Sequence, residues 1–369
     1  MRILSIDCAP FIGGAQESLW TLLSQLQRVS CCAALVSADN GLRERAKALD
    51  IPAWSIHCRH WPASLKGCVQ FLKDRAAAQK VIQDAIADFK PDVIHANTVR
   101  AALLTGSPFG YPLVIHDRDI RMPGFIPRIL TRKQPARVIA ISAAVAEKWR
   151  GMLPDSRITV LPNAFDLNTM KTQAKALVPP GSASVSTPQA VILAQIADFS
   201  PWKGHRDFIQ AVKLLHGQHT EIRAVIKGRT RDSAGSALKE SLERLIQRLG
   251  MSDIIQIDAS DETALPTIAS ADIVVSTADQ EPFGRTAIEA LALGKPVVAY
   301  RSGGIVDILE QCPEAASLTP PGSPQALADA IVQWLPPERR AKAESPARAA
   351  AMSYDISTVL PRFLTMLNV

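Results

Sequence analysis

The chain has little of what would set it apart from ordinary globular proteins. Aromatic residues make up 5% of its 369 positions and only three are tyrosine, too few for the stacking platforms that hold single-stranded nucleic acid. No nucleic-acid-binding module is recognisable either. No apolar run approaches the roughly 20 residues that span a bilayer. The opening MRILSIDCAPFIGG passes directly into a strand-like run, with neither the charged region nor the long apolar core of a signal peptide. Six cysteines (Cys8, Cys31, Cys32, Cys58, Cys68, Cys312) show neither CxxC nor CxxH spacing. That argues against a zinc site or redox pair and suits reduced thiols in a cytoplasmic protein. There is no internal repeat and no long low-complexity tract. A hydrophobic content of 47% with 21% charge is that of a folded chain, and its length suffices for two α/β domains with separate cores.

Short apolar runs at 3–6, 33–36, 53–56, 93–95, 113–115 and 138–141 alternate with helical spacing in stretches such as 16–26 and 72–89. Residues 176–189, ALVPPGSASVSTPQ, carry no charge and no periodicity and read as a linker. The alternation then resumes, with strands expected at 191–197, 223–226, 254–257, 273–275 and 297–300 and helices at 207–215, 237–249, 264–270 and 286–293. This predicts an α/β protein of two Rossmann-like domains with parallel sheets, residues 1–175 and 190–350. A final segment, 351–369, is expected to be helical on both sides of Pro361, with 336–350 as its connection. Ligands of such sheets bind at the carboxyl ends of the strands.

One stretch, 279–304 (DQEPFGRTAIEALALGKPVVAYRSGG), dominates the reading. Pro282 and Gly284 break regular structure, 286–293 has helical spacing, Gly294 is placed to end the helix, and 295–300 is strand-like. Glu281 in the loop and Glu289 in an otherwise apolar helix could converge on a ligand at the helix start, where unpaired N–H groups suit a diphosphate. The same Glu289 could also simply pair with Arg285 at i,i+4, and Glu281 could be a solvated loop residue.

This segment resembles the Glu-x7-Glu signature of retaining glycosyltransferases of the GT-B fold, in particular family 4, and the similarity runs over nearly the whole chain. The resemblance implies that Glu281 and the Phe283-Gly284 amides hold the donor sugar and that Glu289 binds the ribose. The amides of Arg285 and Thr286 would face the diphosphate. Gly13-Gly14, after the first strand, reads by itself as a tight turn or as a close approach to phosphate. It resembles the family's Gly-Gly-Ala loop beside donor and acceptor. His116 ends the run PLVIHDRD where family members carry a histidine that contacts the donor sugar, and His95 is placed as a wall residue. Ser142 and Asn163 sit at strand ends, the latter in a turn resembling Pro-Asn-Gly-Val-Asp with Ala164 in the glycine position.

The turn 196–205 resembles the family's Gly-Arg-x-x-Pro-x-Lys-Gly, with Lys203 expected to stabilise the leaving diphosphate. Asp198 stands where the family has arginine. Three explanations stay open: Arg229 or Arg231 after Gly228 replaces it, phosphate stabilisation is weakened, or the register is shifted by a residue or two. The implied activity is transfer of a sugar from a UDP- or GDP-sugar, without a metal or other cofactor, to a glycan or lipid-linked acceptor of the cell envelope, with retention. A nucleotide-sugar 2-epimerase and a non-enzymatic nucleotide-sugar-binding protein remain as rivals.

The net charge of +6 is uneven: residues 1–180 hold 23 Lys+Arg against 14 Asp+Glu, or +9, and the remainder 18 against 21, or −3. Much of the excess lies in 118–137, where Arg118, Arg121, Arg128, Arg132, Lys133 and Arg137 interleave with Met122, Phe125, Ile126, Ile129 and Leu130. This suits contact with an anionic membrane, or an ordinary amphipathic helix with a solvated basic face.

Overall fold

The computed structural model describes residues 1–29, 31–58, 65–105, 109–132, 135–177, 190–216, 218 and 222–368. The chain divides into two compact units, Met1–Phe165 with Ile356–Val369, and Asp166–Asp355.

The first unit is a parallel sheet built from β1 (Arg2–Ile6), β2 (Cys32–Ala38), β3 (Ala53–Ile56), β4 (Val93–Ala96), β5 (Leu113–Asp117), β6 (Arg137–Ala140) and β7 (Ile158–Val160), in the order β3-β2-β1-β4-β5-β6-β7. Side chains alternate along each strand, so the apolar runs feed two cores. Leu4, Ile6, Val36, Ile94 and Ile115 join Ile82, Ala85 and Ile86 of the helix Leu65–Phe89 on one face. Ile3, Leu35, Val93, Val114 and Ile139 join Leu19, Leu22, Leu23 and Leu26 of the helix Gly14–Leu26 on the other. Burial on both faces is why these strands read as continuous apolar runs.

The second face is completed by the last helix, Ile356–Leu367, through Val359, Leu360, Phe363 and Leu367. Its sequence predicts helix on both sides of Pro361. The helix runs through that proline, whose ring is exposed, so the missing N–H lies on the solvent side.

The second unit holds β8 (Val191–Ile196), β9 (Ile222–Lys227), β10 (Ile255–Asp258), β11 (Ile273–Ser276), β12 (Val297–Tyr300) and β13 (Ala316–Thr319), all parallel, in the order β10-β9-β8-β11-β12-β13. The helix Arg285–Ala292 ends as the sequence predicts: Gly294 takes φ +78°, with Gly294 N–H donating to Leu291 O at 2.9 Å and Lys295 N–H to Ala290 O at 2.9 Å.

Three features depart from the sequence reading. The division falls between Phe165 and Asp166, so the helix Leu167–Leu177, placed by sequence with the first domain, packs in the second unit against the helix Leu265–Ser270. Of the expected linker 176–189, residues 178–189 lie outside the described residues. The segment expected as a connection is the helix Pro337–Ala351, which packs on Arg285–Ala292. The edge strand β13 is not among the strands expected from sequence; ASLT is too short and mildly apolar to stand out.

Candidate functional site

In the second unit, chain order reverses between β8 and β11, which leaves a crevice beyond their carboxyl ends. The loops after those two strands carry Lys203 and Glu281, and Lys203 Nζ lies 2.7 Å from Glu281 Oε2. Their side chains are only 18% and 14% exposed, and the Lys203 ammonium also sits 4.0 Å from the centre of the Trp202 ring.

Backbone contacts fix both loops. Gly204 takes φ +65°, and a Cβ there would stand 2.2 Å from Thr277 O. The buried Thr277 hydroxyl lies 2.9 Å from both Lys203 O and Gly204 O, and Gln195 Nε2 donates to that hydroxyl at 2.7 Å. On the other side Gly304 N–H donates to Glu281 O at 2.7 Å, and a Cβ on Gly303 would meet that carbonyl at 2.3 Å. The carboxylate and the ammonium are therefore presented by rigid turns.

The helix Arg285–Ala292 follows Glu281 after Pro282, Phe283 and Gly284. Its N-cap is Gly284, with φ +105° and no room for a Cβ, which would stand 2.9 Å from Ile305 Cγ1. With glycine as N-cap there is no capping side chain, and a helix start of this kind suits an anion. Thr286 Oγ1 reaches Ile196 O at 3.5 Å, tying this helix start to the end of β8. Phe283 is buried against Tyr354, ring centroids 5.9 Å apart, so its side chain anchors the loop from within. Glu289 lies 3.7 Å from Arg285, the i,i+4 pairing that its spacing allows.

After β9, Gly228 passes so close beneath β8 that a Cβ would stand 1.9 Å from Ala197 O. Beyond it Arg229 Nε lies 3.6 Å and Arg231 Nε 2.5 Å from the two oxygens of Asp198. His205 is buried against Phe199, and its imidazole is pushed down to about 4 by burial; the Ala197 carbonyl and Asp198 oppose this, and Lys203 adds to it.

In the first unit the corresponding reversal lies between β1 and β4. Asp7, fully buried, accepts from Asn97 Nδ2 at 2.7 Å and from Gln16 Nε2 at 3.0 Å, and Gln16 Oε1 in turn accepts from Gly13 N–H at 3.1 Å. Gly13 is the N-cap of Gly14–Leu26. Arg118 donates to Asn97 Oδ1 at 3.0 Å, to Asn163 Oδ1 and to His116 Nδ1 at 3.2 Å. Since a guanidinium can only donate, His116 Nδ1 must accept, which makes His116 the neutral Nε2–H tautomer. His95 Nε2, 3.2 Å from the same atom, is then a donor, and Ser5 Oγ lies 3.2 Å from His95 Nδ1. Burial and the Arg118 charge hold both rings neutral, with His95 at about 3 and His116 well below its usual value.

Family models match both halves of the chain: Glycosyl transferases group 1 over residues 183–351 and Glycosyltransferase Family 4 over residues 12–169. The chain belongs to the family 4 glycosyltransferases. It is 25% identical over 311 residues to the MMP alpha-(1->4)-mannosyltransferase of Mycolicibacterium hassiacum, covering 76% of this chain and 71% of that one. A D-inositol 3-phosphate glycosyltransferase 2 from Catenulispora acidiphila is 36% identical over 127 residues, 32% of this chain; this chain spans 29% of that protein. Among solved structures, Anabaena Alr3699/HepE in complex with UDP aligns with a TM-score of 0.78 and 25% identity, covering 100% of this chain and 99% of that one. The fold is GT-B.

In this glycosyltransferase the second unit brings together most of the residues that sequence singles out. Lys203 touches Glu281, Arg285 pairs with Glu289, Phe283 and Gly284 lie between Glu281 and the helix that carries Thr286, and Gly228 and Arg229 follow β9. Gly13 and Gly14 lie at the reversal point of the first unit, Gly13 buried and Gly14 exposed.

His116 is the exception. It is 1% exposed and stacks on Phe363 at 6.1 Å, inside the core rather than on an open edge. It precedes Asp117, the last residue of β5, and its imidazole is a buried link in the polar chain described above. Asp117 and Asp119 do stand at Asp-x-Asp spacing. Asp117 is taken up by Lys148 Nζ at 2.9 Å and Trp149 Nε1 at 2.6 Å, while Asp119 accepts from Arg121 N–H. Among the described residues no group of three or more His, Cys, Asp or Glu is arranged to hold a metal ion.

The basic stretch 118–137 is likewise not one helix. Arg118 is buried in the network above, Arg137 opens β6, and among the described residues of the stretch only Phe125–Thr131 is helical; Lys133 lies outside the described residues. Sequence reading missed Asp7, Gln16, Asn97, Gln195 and Thr277 as supports. Except for Gln16, which lies in the first turn of a helix, their signal was a polar residue at or just after the end of an apolar run, as in RILSID and VILAQI.

Proposed function

We propose that this chain transfers a sugar from a nucleoside-diphosphate sugar, a UDP-sugar first, to a glycan or lipid-linked acceptor of the cell envelope, with retention and without a metal. The observation that carries the reading is the Lys203–Glu281 pair at the reversal point of the second sheet, close to the start of a helix capped by glycine. The diphosphate is held at the amides of Arg285 and Thr286 and by Lys203. Glu289 takes the ribose hydroxyls. Once Lys203 turns to phosphate, Glu281 is released to accept from the sugar hydroxyls.

The acceptor hydroxyl attacks C1 from the face the diphosphate leaves. The C1–O bond to phosphate breaks, a C1–O bond to the acceptor forms, and the acceptor proton passes to the departing phosphate oxygen. Lys203 and the helix start stabilise the charge that develops there. The UDP bound by the Anabaena neighbour supports the choice of base.

A membrane-borne acceptor is supported by the helix Phe125–Thr131. Phe125 is 61% and Ile129 43% exposed one turn apart, amid exposed Arg121, Arg128 and Arg132, a mix suited to an anionic interface. Among the described residues no helix is long and apolar enough to cross a membrane.

The test is incubation with UDP- and GDP-sugars and an acceptor lipid extract, following release of the nucleoside diphosphate and the anomeric configuration of the product by NMR. Transfer with the donor's anomeric configuration supports the reading. Inversion, or release of an epimerised sugar without an acceptor product, contradicts it.

A further inference from the structure

Asp198 lies in the loop after β8, against the loop after β9. The backbones of the two loops are locked, with Ala197 N–H on Lys227 O at 2.9 Å, Phe199 N–H on Arg229 O at 3.0 Å, and Gly228 packed under Ala197. On this rigid base one carboxylate receives two guanidinium groups, Arg231 at 2.5 Å and Arg229 at 3.6 Å. The side chains are partly exposed (29% for Asp198, 39% and 28% for Arg229 and Arg231), so the cluster faces water and carries a net charge of +1. Left alone, two neighbouring guanidiniums repel and disperse; the carboxylate between them offsets that repulsion, hydrogen-bonding Arg231 and drawing in Arg229. Lys203 follows in the same loop, held near by Ser200 N–H on Asp198 O at 2.8 Å and Lys203 N–H on Ser200 O at 3.0 Å.

We infer that Asp198 is a positioning residue that gathers Arg229 and Arg231 beside Lys203 to grip the diphosphate of the donor. It rests on the donor reading above. The two arginines supply forked donors, and Asp198 contributes by pre-organising them, although its own charge opposes the ligand.

That opposition gives a test in which sign decides. The dissociation constant of UDP is measured by calorimetry for wild type, Asp198→Asn, Arg231→Gln and the double variant, with the unliganded unfolding midpoint of each as a check of folding. Positioning predicts that Asp198→Asn weakens UDP about tenfold, like Arg231→Gln, and adds little in the Arg231→Gln background. If Asp198 acts only as a charge, Asp198→Asn binds UDP more tightly than wild type, and the inference is overturned; so too if affinity is unchanged. Should Asp198→Asn not fold, Arg231→Gln decides, with unchanged affinity again the overturning result. Absence of UDP, GDP and ADP binding by wild type overturns the donor reading, and this inference with it, and is distinct from a variant failing where wild type binds.

Discussion

Lys203 Nζ and Glu281 Oε2 lie 2.7 Å apart, across the point where the second sheet reverses its strand order. The pair joins the loops after β8 and β11 and is mostly screened from water. Each partner holds the other where a negatively charged donor and its sugar would replace the contact.

Both members should be indispensable to transfer and dispensable to folding. Lys203→Ala and Glu281→Gln are each expected to lower kcat by about 10²-fold or more, the size seen when a charge-stabilising group is lost. Donor-dependent release of nucleoside diphosphate is the assay, with circular dichroism confirming the fold. Activity within a few-fold of wild type in either variant would contradict the assignment.

Gly204 and Gly228 should respond in stability first. An alanine Cβ would be driven into Thr277 O and Ala197 O at 2.2 and 1.9 Å. The cost expected is about 1–3 kcal/mol for each, as for other overpacking changes. Denaturant midpoints measure it. An unshifted midpoint for Gly228→Ala would show that the two loops are not packed as described.

The architecture was legible because the apolar runs of both sheets are buried on both faces and punctuated by polar strand ends. The Glu281–Glu289 segment was legible because its glycines and proline fix loop, helix and strand in turn. What could not be read was side-chain depth. His116 lies one residue short of its strand's end, and that one step puts it under Phe363, which comes from more than 240 positions along the chain. Arg229 and Arg231 were named from sequence, but not that both pair with Asp198, which depends on how close Gly228 lets two backbones come. The domain division was displaced because Leu167–Leu177 packs on a helix about 100 residues later, which no local pattern signals.

Stability should fall on mild acidification. His205, held down to about 4, and His95, to about 3, are neutral in the folded chain but take up protons near 6.5 when unfolded. Below that pH the unfolded state binds more protons, so stability present above 6.5 is lost as pH falls toward the folded values. Each histidine contributes about 1.4 kcal/mol per pH unit in that window. His205 Nδ1 is buried without a hydrogen-bond partner among the described residues, so a proton there would be poorly received. Urea unfolding from about pH 7.5 to about pH 4.5 checks the slope, and His205→Asn should flatten it for the second unit. A flat profile in wild type would contradict neutral buried imidazoles.

Membrane contact, if it runs through Phe125–Thr131, should require both charge and apolar tip. Wild type is expected to co-sediment with vesicles containing anionic lipid and not with neutral ones, and Phe125→Ser with Ile129→Ser should abolish binding without altering the unfolding midpoint, as both are exposed. Equal binding by the double variant would move the contact elsewhere.

The central claim, a nucleoside-diphosphate-sugar site on the second unit, is tested most directly by thermal unfolding of wild type and Glu289→Ala with UDP, GDP and ADP. A ligand at about 100 times its dissociation constant adds roughly 2.7 kcal/mol. The account predicts a raised midpoint with UDP that disappears in Glu289→Ala. No shift with any of the three nucleotides, or a shift that Glu289→Ala leaves intact, would contradict it.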